Sequence, residues 1–165
     1  MEENQQIVIG QGFFENKKII INIANKKLII NNKTGTISSK NNNKFKHYVL
    51  CDEGITIQMS CSIANYQMVL DTGATSSIFS VNEVHSKEPL TACDFNLGPD
   101  VKCELFTSKV NVAGYSFVSN ILLYTIDPRF TKDGLLGSDI FNKFIVELDF
   151  SNKNIALAPS EMGVL

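Results

Sequence analysis

The sequence lacks the features that would place the protein in a membrane or on nucleic acid. Of its 165 residues, 15 are Lys or Arg and 17 are Asp or Glu, so the formal net charge is only −2 and no basic patch forms. The apolar runs are far shorter than the ~20 residues that a membrane-spanning helix needs. The acidic, polar start at residues 1–6 is unlike the basic first part of a signal peptide. These absences predict a cytoplasmic protein that partners neither nucleic acid nor membrane.

Cysteine and histidine are too few and too scattered to predict a metal site. The four cysteines are Cys51, Cys61, Cys93 and Cys103. None forms a CxxC pair or a Cys/His ligand spacing, and the only histidines, His47 and His85, stand apart from any nucleophile motif. Cys93 and Cys103 are equidistant from Gly98 and would face each other if a hairpin turned there, but two separate thiols suit an intracellular protein better. We expect no metal and no cofactor.

What the sequence does contain is β structure. The segment 55–61 alternates apolar and polar residues with period two, and turn sequences recur, as at Gly98-Pro99-Asp100 and Ala113-Gly114. A short helix follows Gly137, with Ser138 or Asp139 able to cap it. Short strands at regular spacing predict an all-β, closed barrel with one short helix near the C-terminus.

The organisation of the chain follows from a change in composition. Residues 1–32 read as an N-terminal β-hairpin extension, and the polar, Asn-rich residues 33–46 read as a linker. Residues 47–165 read as the main domain.

The extension looks like a repeat of the last part of the chain. A shift of 127 residues sets Gly10 on Gly137 without a gap. The same shift matches Phe14 with Phe141, Ile19 and Ile21 with Val146 and Leu148, Asn25-Lys26 with Asn152-Lys153, and Leu28 and Ile30 with Ile155 and Leu157. Two Ile-rich hairpins with Asn-Lys turns could also match by composition alone. If the repeat is real, residues 7–31 are the tail half of a similar unit whose acid-bearing half is missing.

The rest of the main domain is arranged around residues 68–80, where an apolar strand runs directly into Asp71. Small and hydroxyl-bearing residues follow at once, beginning with Thr72 and Gly73. An apolar pair and a glycine, Leu135-Leu136-Gly137, lie about sixty residues downstream. Such a loop presents an acid to a reacting centre, and glycine lets the backbone approach the carboxylate. We interpret Asp71 as one half of a two-aspartate catalytic site.

This pattern resembles the retropepsin-like aspartic proteases, the single-domain relatives of pepsin, over roughly residues 47–160. The elements come in the right order: a hairpin, Asp71-Thr72-Gly73, a flap-like hairpin around residues 92–107, Leu135-Leu136-Gly137, a short helix and final strands. The resemblance implies an acid-protease barrel and an aspartic endopeptidase acting on polypeptides. It implies these catalytic residues: Asp71, Thr72 and Gly73. It implies these substrate-binding residues: Ala74, Asn96, Leu97, Gly98, Leu135, Leu136 and Gly137.

The number of acid loops bears on the oligomeric state. Amide hydrolysis by activated water needs a carboxylate as base and a carboxylic acid as proton donor, and two aspartates that share one proton supply both. This chain has one Asp-Thr-Gly, so we expect a homodimer in which Asp71 of each copy meets on a two-fold axis. Ala74 offers no hydroxyl to the carboxylate, which predicts a mildly acidic to neutral pH optimum. The alternative is a catalytically inactive dimerisation or peptide-binding module of the same fold.

Overall fold

The computed structural model describes residues 11–32, 46–52, 54–61, 64–81 and 104–160. Within them the chain is almost all β, as the sequence predicts. The strands are β1 (Lys18–Asn22), β2 (Lys27–Asn31), β3 (Lys46–His47), β4 (Val49–Cys51), β5 (Gly54–Cys61), β6 (Asn65–Leu70), β7 (Ile78–Ser80), β8 (Glu104–Val112), β9 (Tyr115–Tyr124), β10 (Gly134–Leu136), β11 (Phe144–Asp149) and β12 (Asn154–Pro159). The helical elements are a 3-10 turn, Gln11–Phe14, and the helix α1, Ser138–Lys143.

Six strands close into a barrel, which confirms the predicted fold class. Their order is β5-β6-β10-β7-β9-β8, and β8 pairs back onto β5 from Met59 opposite Val112 to Cys61 opposite Val110. Closure leaves these strands without a free edge in the ring. β4 adds to the outer side of β5.

One prediction near the barrel needs adjusting. Residues 104–107 were expected to end the flap-like hairpin, but they begin β8 and pair with β9. The rest of that hairpin, with Cys93 and Cys103, lies outside the described residues. The Ala113-Gly114 turn that joins β8 to β9 is present, and both residues have positive φ, 49° and 90°, as a two-residue hairpin loop requires.

A second sheet has the order β2-β1-β11-β12-β3. The predicted N-terminal hairpin, β1–β2, therefore adds to the free edge of the last hairpin, β11–β12. The barrel and this sheet share one core, since Val146 and Leu157 of the sheet pack in the same cluster as Met59 and Met68 of the barrel. Burial of such side chains provides most of the favourable free energy of folding.

The hairpins β1–β2 and β11–β12 have the same geometry at a shift of 127 residues. Lys26 and Lys153 both take left-handed backbone conformations, with φ of 51° and 52°. The Asn25 N–H donates to Oδ1 of Asn22, and the Asn152 N–H donates to Oδ1 of Asp149 in the same way. In both hairpins these turns follow the first strand and fix the same register, with Leu28 opposite Ile21 and Ile155 opposite Leu148.

The helical part of the described chain is short. No helix in it is long and apolar enough to cross a bilayer.

Candidate active site

Asp71 stands where β6 leaves the barrel wall. Its backbone N–H donates to the carbonyl of Leu136 at 2.9 Å, which continues the parallel pairing of β6 with β10 by one residue. Its carboxylate turns back over its own loop and accepts a hydrogen bond from the Gly73 N–H at 2.8 Å. Asp71 is half-buried, whereas Thr72 and Gly73 are exposed. The loop therefore holds one carboxylate oxygen in place at the protein surface.

Gly73 lets the loop pass close to the Asp71 carboxylate. A Cβ at this position would lie 3.2 Å from Oδ1 of Asp71, closer than most real contacts of that kind. Any side chain would press on the carboxylate that the Gly73 N–H binds. The sequence predicts that glycine lets the backbone approach the carboxylate, and the contact concerned is the one between residue 73 and Oδ1 of Asp71.

The strand β10 supports the acid loop from behind. It lies between β6, to which it is parallel, and β7, to which it is antiparallel, so both ends of the 71–77 loop are bound to one strand. Gly137 then packs directly on the loop. A Cβ there would lie 2.5 Å from the carbonyl carbon and oxygen of Ser76 and 2.8 Å from the oxygen of Ala74.

The residue after Gly137 fastens the middle of the loop. The Ser138 N–H donates to the Ala74 carbonyl and the Ser138 hydroxyl donates to the Thr75 carbonyl, both at 2.7 Å. These bonds join positions that are more than sixty residues apart in the chain. They hold the loop that carries Asp71 to the start of α1.

A buried serine and an acid complete this support, and the sequence did not reveal them as a pair. Ser77 is fully buried; its hydroxyl accepts from the Gly137 N–H at 3.1 Å and donates to Oδ1 of Asp139 at 2.8 Å. Oδ2 of Asp139 accepts from the Ser119 hydroxyl at 3.2 Å, which ties the same carboxylate to β9. One carboxylate thus fixes the acid loop, the helix start and the barrel wall together.

Asp139 therefore does not cap α1, as the sequence suggested it or Ser138 could. The N-cap residue is Gly137, and no side chain makes a cap hydrogen bond. Both candidate capping side chains are used on the acid loop instead. The signal that could have found them is a pair of polar residues placed next to the glycine that supports an acid loop.

The predicted substrate-binding residues divide into three groups. Ala74 and Leu135 are half-buried beside the acid loop. Leu136 and Gly137 are buried, Leu136 completely so in the barrel core, and both support the loop from behind; a contact of either with substrate stays a prediction. Asn96, Leu97 and Gly98 lie outside the described residues.

In the described part of the chain, the recorded hydrogen bonds of the Asp71 carboxylate include none with a second carboxyl group. Among the described residues, no group of three or more His, Cys, Asp or Glu side chains could hold a metal ion. Described Cys51 and Cys61 are free thiols. The chemistry of the loop is therefore that of one carboxylate held at a surface.

That surface contains an apolar cleft of about 590 Å³. Leu70 and Thr72 lie on its barrel side, and Ile21, Ile23 and Leu28 lie on its hairpin side. The two neighbours of Asp71 in the sequence thus line the cleft, whereas Asp71 itself does not.

A comparison with solved structures finds the same fold in an aspartic proteinase. The aspartic proteinase from Irpex lacteus matches with a TM-score of 0.54 at 10% sequence identity. The match covers 91% of this chain, whereas the chain spans only 58% of that protein's length. No protein-family model and no curated protein matches the sequence. The likeness establishes an acid-protease barrel and, at this identity, nothing finer.

Proposed function

We propose that the protein is an aspartic endopeptidase that contributes one of two catalytic aspartates. The observation that carries this proposal is the acid loop itself. Asp71 follows a barrel strand, receives the Gly73 N–H, and is fastened from behind by Gly137 and Ser138. A loop held this firmly preorganises a carboxylate, which is what acid–base chemistry at one atom requires.

The reaction needs a second carboxylate within hydrogen-bond distance of the first. Two such groups share one proton, because both cannot be ionised so close together. The ionised member takes a proton from a water molecule as its oxygen attacks the peptide carbonyl carbon. The protonated member gives its proton to the carbonyl oxygen, which yields a tetrahedral gem-diol. The first member then passes the proton it took from water to the amine nitrogen, and the second member takes back a hydroxyl proton as the carbonyl re-forms and the amine leaves.

The second aspartate comes from a second Asp-Thr-Gly loop that faces the first across the cleft. The sequence leads us to expect Asp71 of another copy as its source, and a separate barrel with its own acid loop would serve the same chemistry. The position of Thr72 on the cleft wall supports an arrangement in which two such loops meet there. An extended polypeptide would then lie across both loops and pair through its backbone.

The test is digestion of a peptide library by the wild type and by Asp71→Asn. We expect the substitution to reduce cleavage at least ~10²-fold, because it removes the acid–base group and keeps its shape. Asp52→Asn is the matched control, since Asp52 is exposed in a turn remote in sequence from the loop. Cleavage by the wild type that Asp71→Asn leaves undiminished would rule out the proposed role.

The inactive module remains the second candidate, and the apolar cleft is the observation that favours it. It predicts peptide binding without cleavage, and binding that Asp71→Asn leaves unchanged. Measuring peptide affinity for both proteins by calorimetry separates the two candidates.

A further inference from the structure

The pairing of β1 with β11 has a local two-fold axis. Ile20 lies opposite Glu147, and the shift of 127 residues sets Ile20 on Glu147. On either side, Ile19 lies opposite Leu148 and Ile21 opposite Val146. The same shift makes Ile19 the counterpart of Val146 and Ile21 the counterpart of Leu148. Two equivalent hairpins are therefore joined symmetrically, as they would be at the centre of a two-barrel protein.

The two hairpins differ in what covers them. Ile155 and Leu157 of β12 are 0% and 1% exposed, because the barrel of this chain lies over them. Their counterparts in β2, Leu28 and Ile30, are 57% and 36% exposed. Ile29 is also exposed, at 44%, so β2 presents consecutive large apolar residues at the surface. The N-terminal hairpin thus has the residues of a barrel-covered hairpin, but no described part of the barrel covers Leu28, Ile29 or Ile30.

The residues that line the cleft show the same difference between the two sides of the axis. Two counterpart pairs line the cleft, Ile21 with Leu148 and Ile23 with Phe150. These pairs are related by the axis at Ile20 and Glu147, whereas the described residues form only one barrel wall here, represented by Thr72. Applied to the barrel wall as well, the axis would place an equivalent wall on the side of β2.

An intact second copy meets two obstacles at this position. It would bring its own β11, and the edge of β11 in the first copy is already paired with β1. If the two β11 strands paired about the same axis, the Glu147 carboxylates of both copies would lie opposite each other. Glu147 is buried in the chain, and directly opposed like charges on paired strands are destabilising.

We propose that β1–β2 is the closing hairpin of a second acid-loop barrel, and that the partner is a barrel of this kind that arrives without a closing hairpin of its own. The partner covers Leu28 and Ile30, as the barrel of this chain covers Ile155 and Leu157. Its acid loop fills the open side of the cleft and faces Thr72. The inference rests on the proposed function only in what it says about catalysis by the two acid loops. The docking of the partner barrel is argued from the two hairpins alone.

The chain supplies its own probe for this docking. A second copy of residues 46–136 is fused in front of residue 10 of the chain. The added Leu136 then directly precedes Gly10, just as Leu136 directly precedes Gly137 in the chain itself. We expect a monomeric fusion in which the added barrel folds over β1–β2. We expect sedimentation to show a monomer. We expect limited trypsin digestion to leave the whole fusion intact and not to trim the chain back towards residue 10.

A double substitution, Leu28→Asp with Ile30→Asp, provides the discriminating variant. In the chain alone these side chains are exposed, so the melting temperature should stay within a few degrees of the wild type. In the fusion the added barrel should lose its resistance to trypsin. Val118→Asp, at a residue 60% exposed on β9, is the matched control and should leave both proteins resistant.

Two results would overturn the inference. One is an added barrel that trypsin removes even without the substitutions. The other is that the unmodified full-length chain forms a stable dimer in which the β1 amides lose their protection from hydrogen exchange, since this would mean that a second copy displaces the hairpin. Cleavage is scored separately: a folded fusion that cuts no peptide refutes the proposed function and leaves the docking established.

Discussion

The contact between Gly137 and the acid loop allows a quantitative prediction for Gly137→Ala. The added Cβ would lie 2.5 Å from the Ser76 carbonyl group, whereas ordinary contacts begin at 3.4 Å, so the two backbones must separate by about 0.9 Å. Overpacking of this size costs about 2 kcal/mol. In a chain of 165 residues that corresponds to a fall in melting temperature of about 4–8 °C.

The same displacement should affect catalysis more than stability. Moving a catalytic group by about 1 Å can cost ~10²-fold in rate, so kcat for peptide cleavage should fall by about that factor with most of the protein still folded. Thermal unfolding and initial rates on the same preparation measure both effects. Gly12→Ala is the matched control, because nothing lies within 4 Å of a Cβ at Gly12. A Gly137→Ala protein that melts and cleaves like the wild type would show that the loop does not rest on Gly137.

Three further predictions concern charge and hydrogen bonding. Lys18 and Asp149 form a buried ion pair at 3.0 Å, so Lys18→Met should destabilise the fold by about 3 kcal/mol in urea unfolding, while Lys27→Met, at an exposed position, should have little effect. Burial raises the pKa of Glu147 more than the nearby Lys18 lowers it. The charged form is therefore disfavoured by folding, and Glu147→Gln should stabilise the protein by about 1 kcal/mol at pH 7. That gain should vanish as the pH falls through the raised pKa, because the wild-type side chain is then neutral as well; a gain that persists at pH 3 would contradict the reasoning. Finally, Ala74→Ser should move the acid limb of the pH–rate profile to lower pH, because a hydroxyl could donate to the carboxylate, and an unchanged profile would count against the predicted role of Ala74.

Much of the fold could be predicted from the sequence because its signals are local. The alternation along Ile55–Cys61 gave a strand, and Ala113-Gly114 gave the turn that the structure contains. The shift of 127 residues was also readable, since matching turns need matching residues. That the two hairpins pair with each other could not be read, because the pairing of β1 with β11 joins positions far apart in the chain.

The candidate site was predictable to the same extent. Asp71 and Gly73 belong to one short motif, so their relation is local. The role of Asp139 depends on Ser77 and Ser119, which reach it from other strands. A helix start with an acid in its first turn looks like a cap in sequence, and only the packing shows that the side chain faces the loop instead.

The position of β10 between β6 and β7 has a consequence for synthesis of the protein. The bond from Gly137 to Ser77 spans 60 residues, so the acid loop gains its support only after the chain has been made far beyond it. Contacts of such long range form slowly and late in folding. In a newly made chain, Asp71 therefore precedes by many residues the elements that hold its loop. The loop takes its fixed shape only after β10 and the residues that follow it have been made.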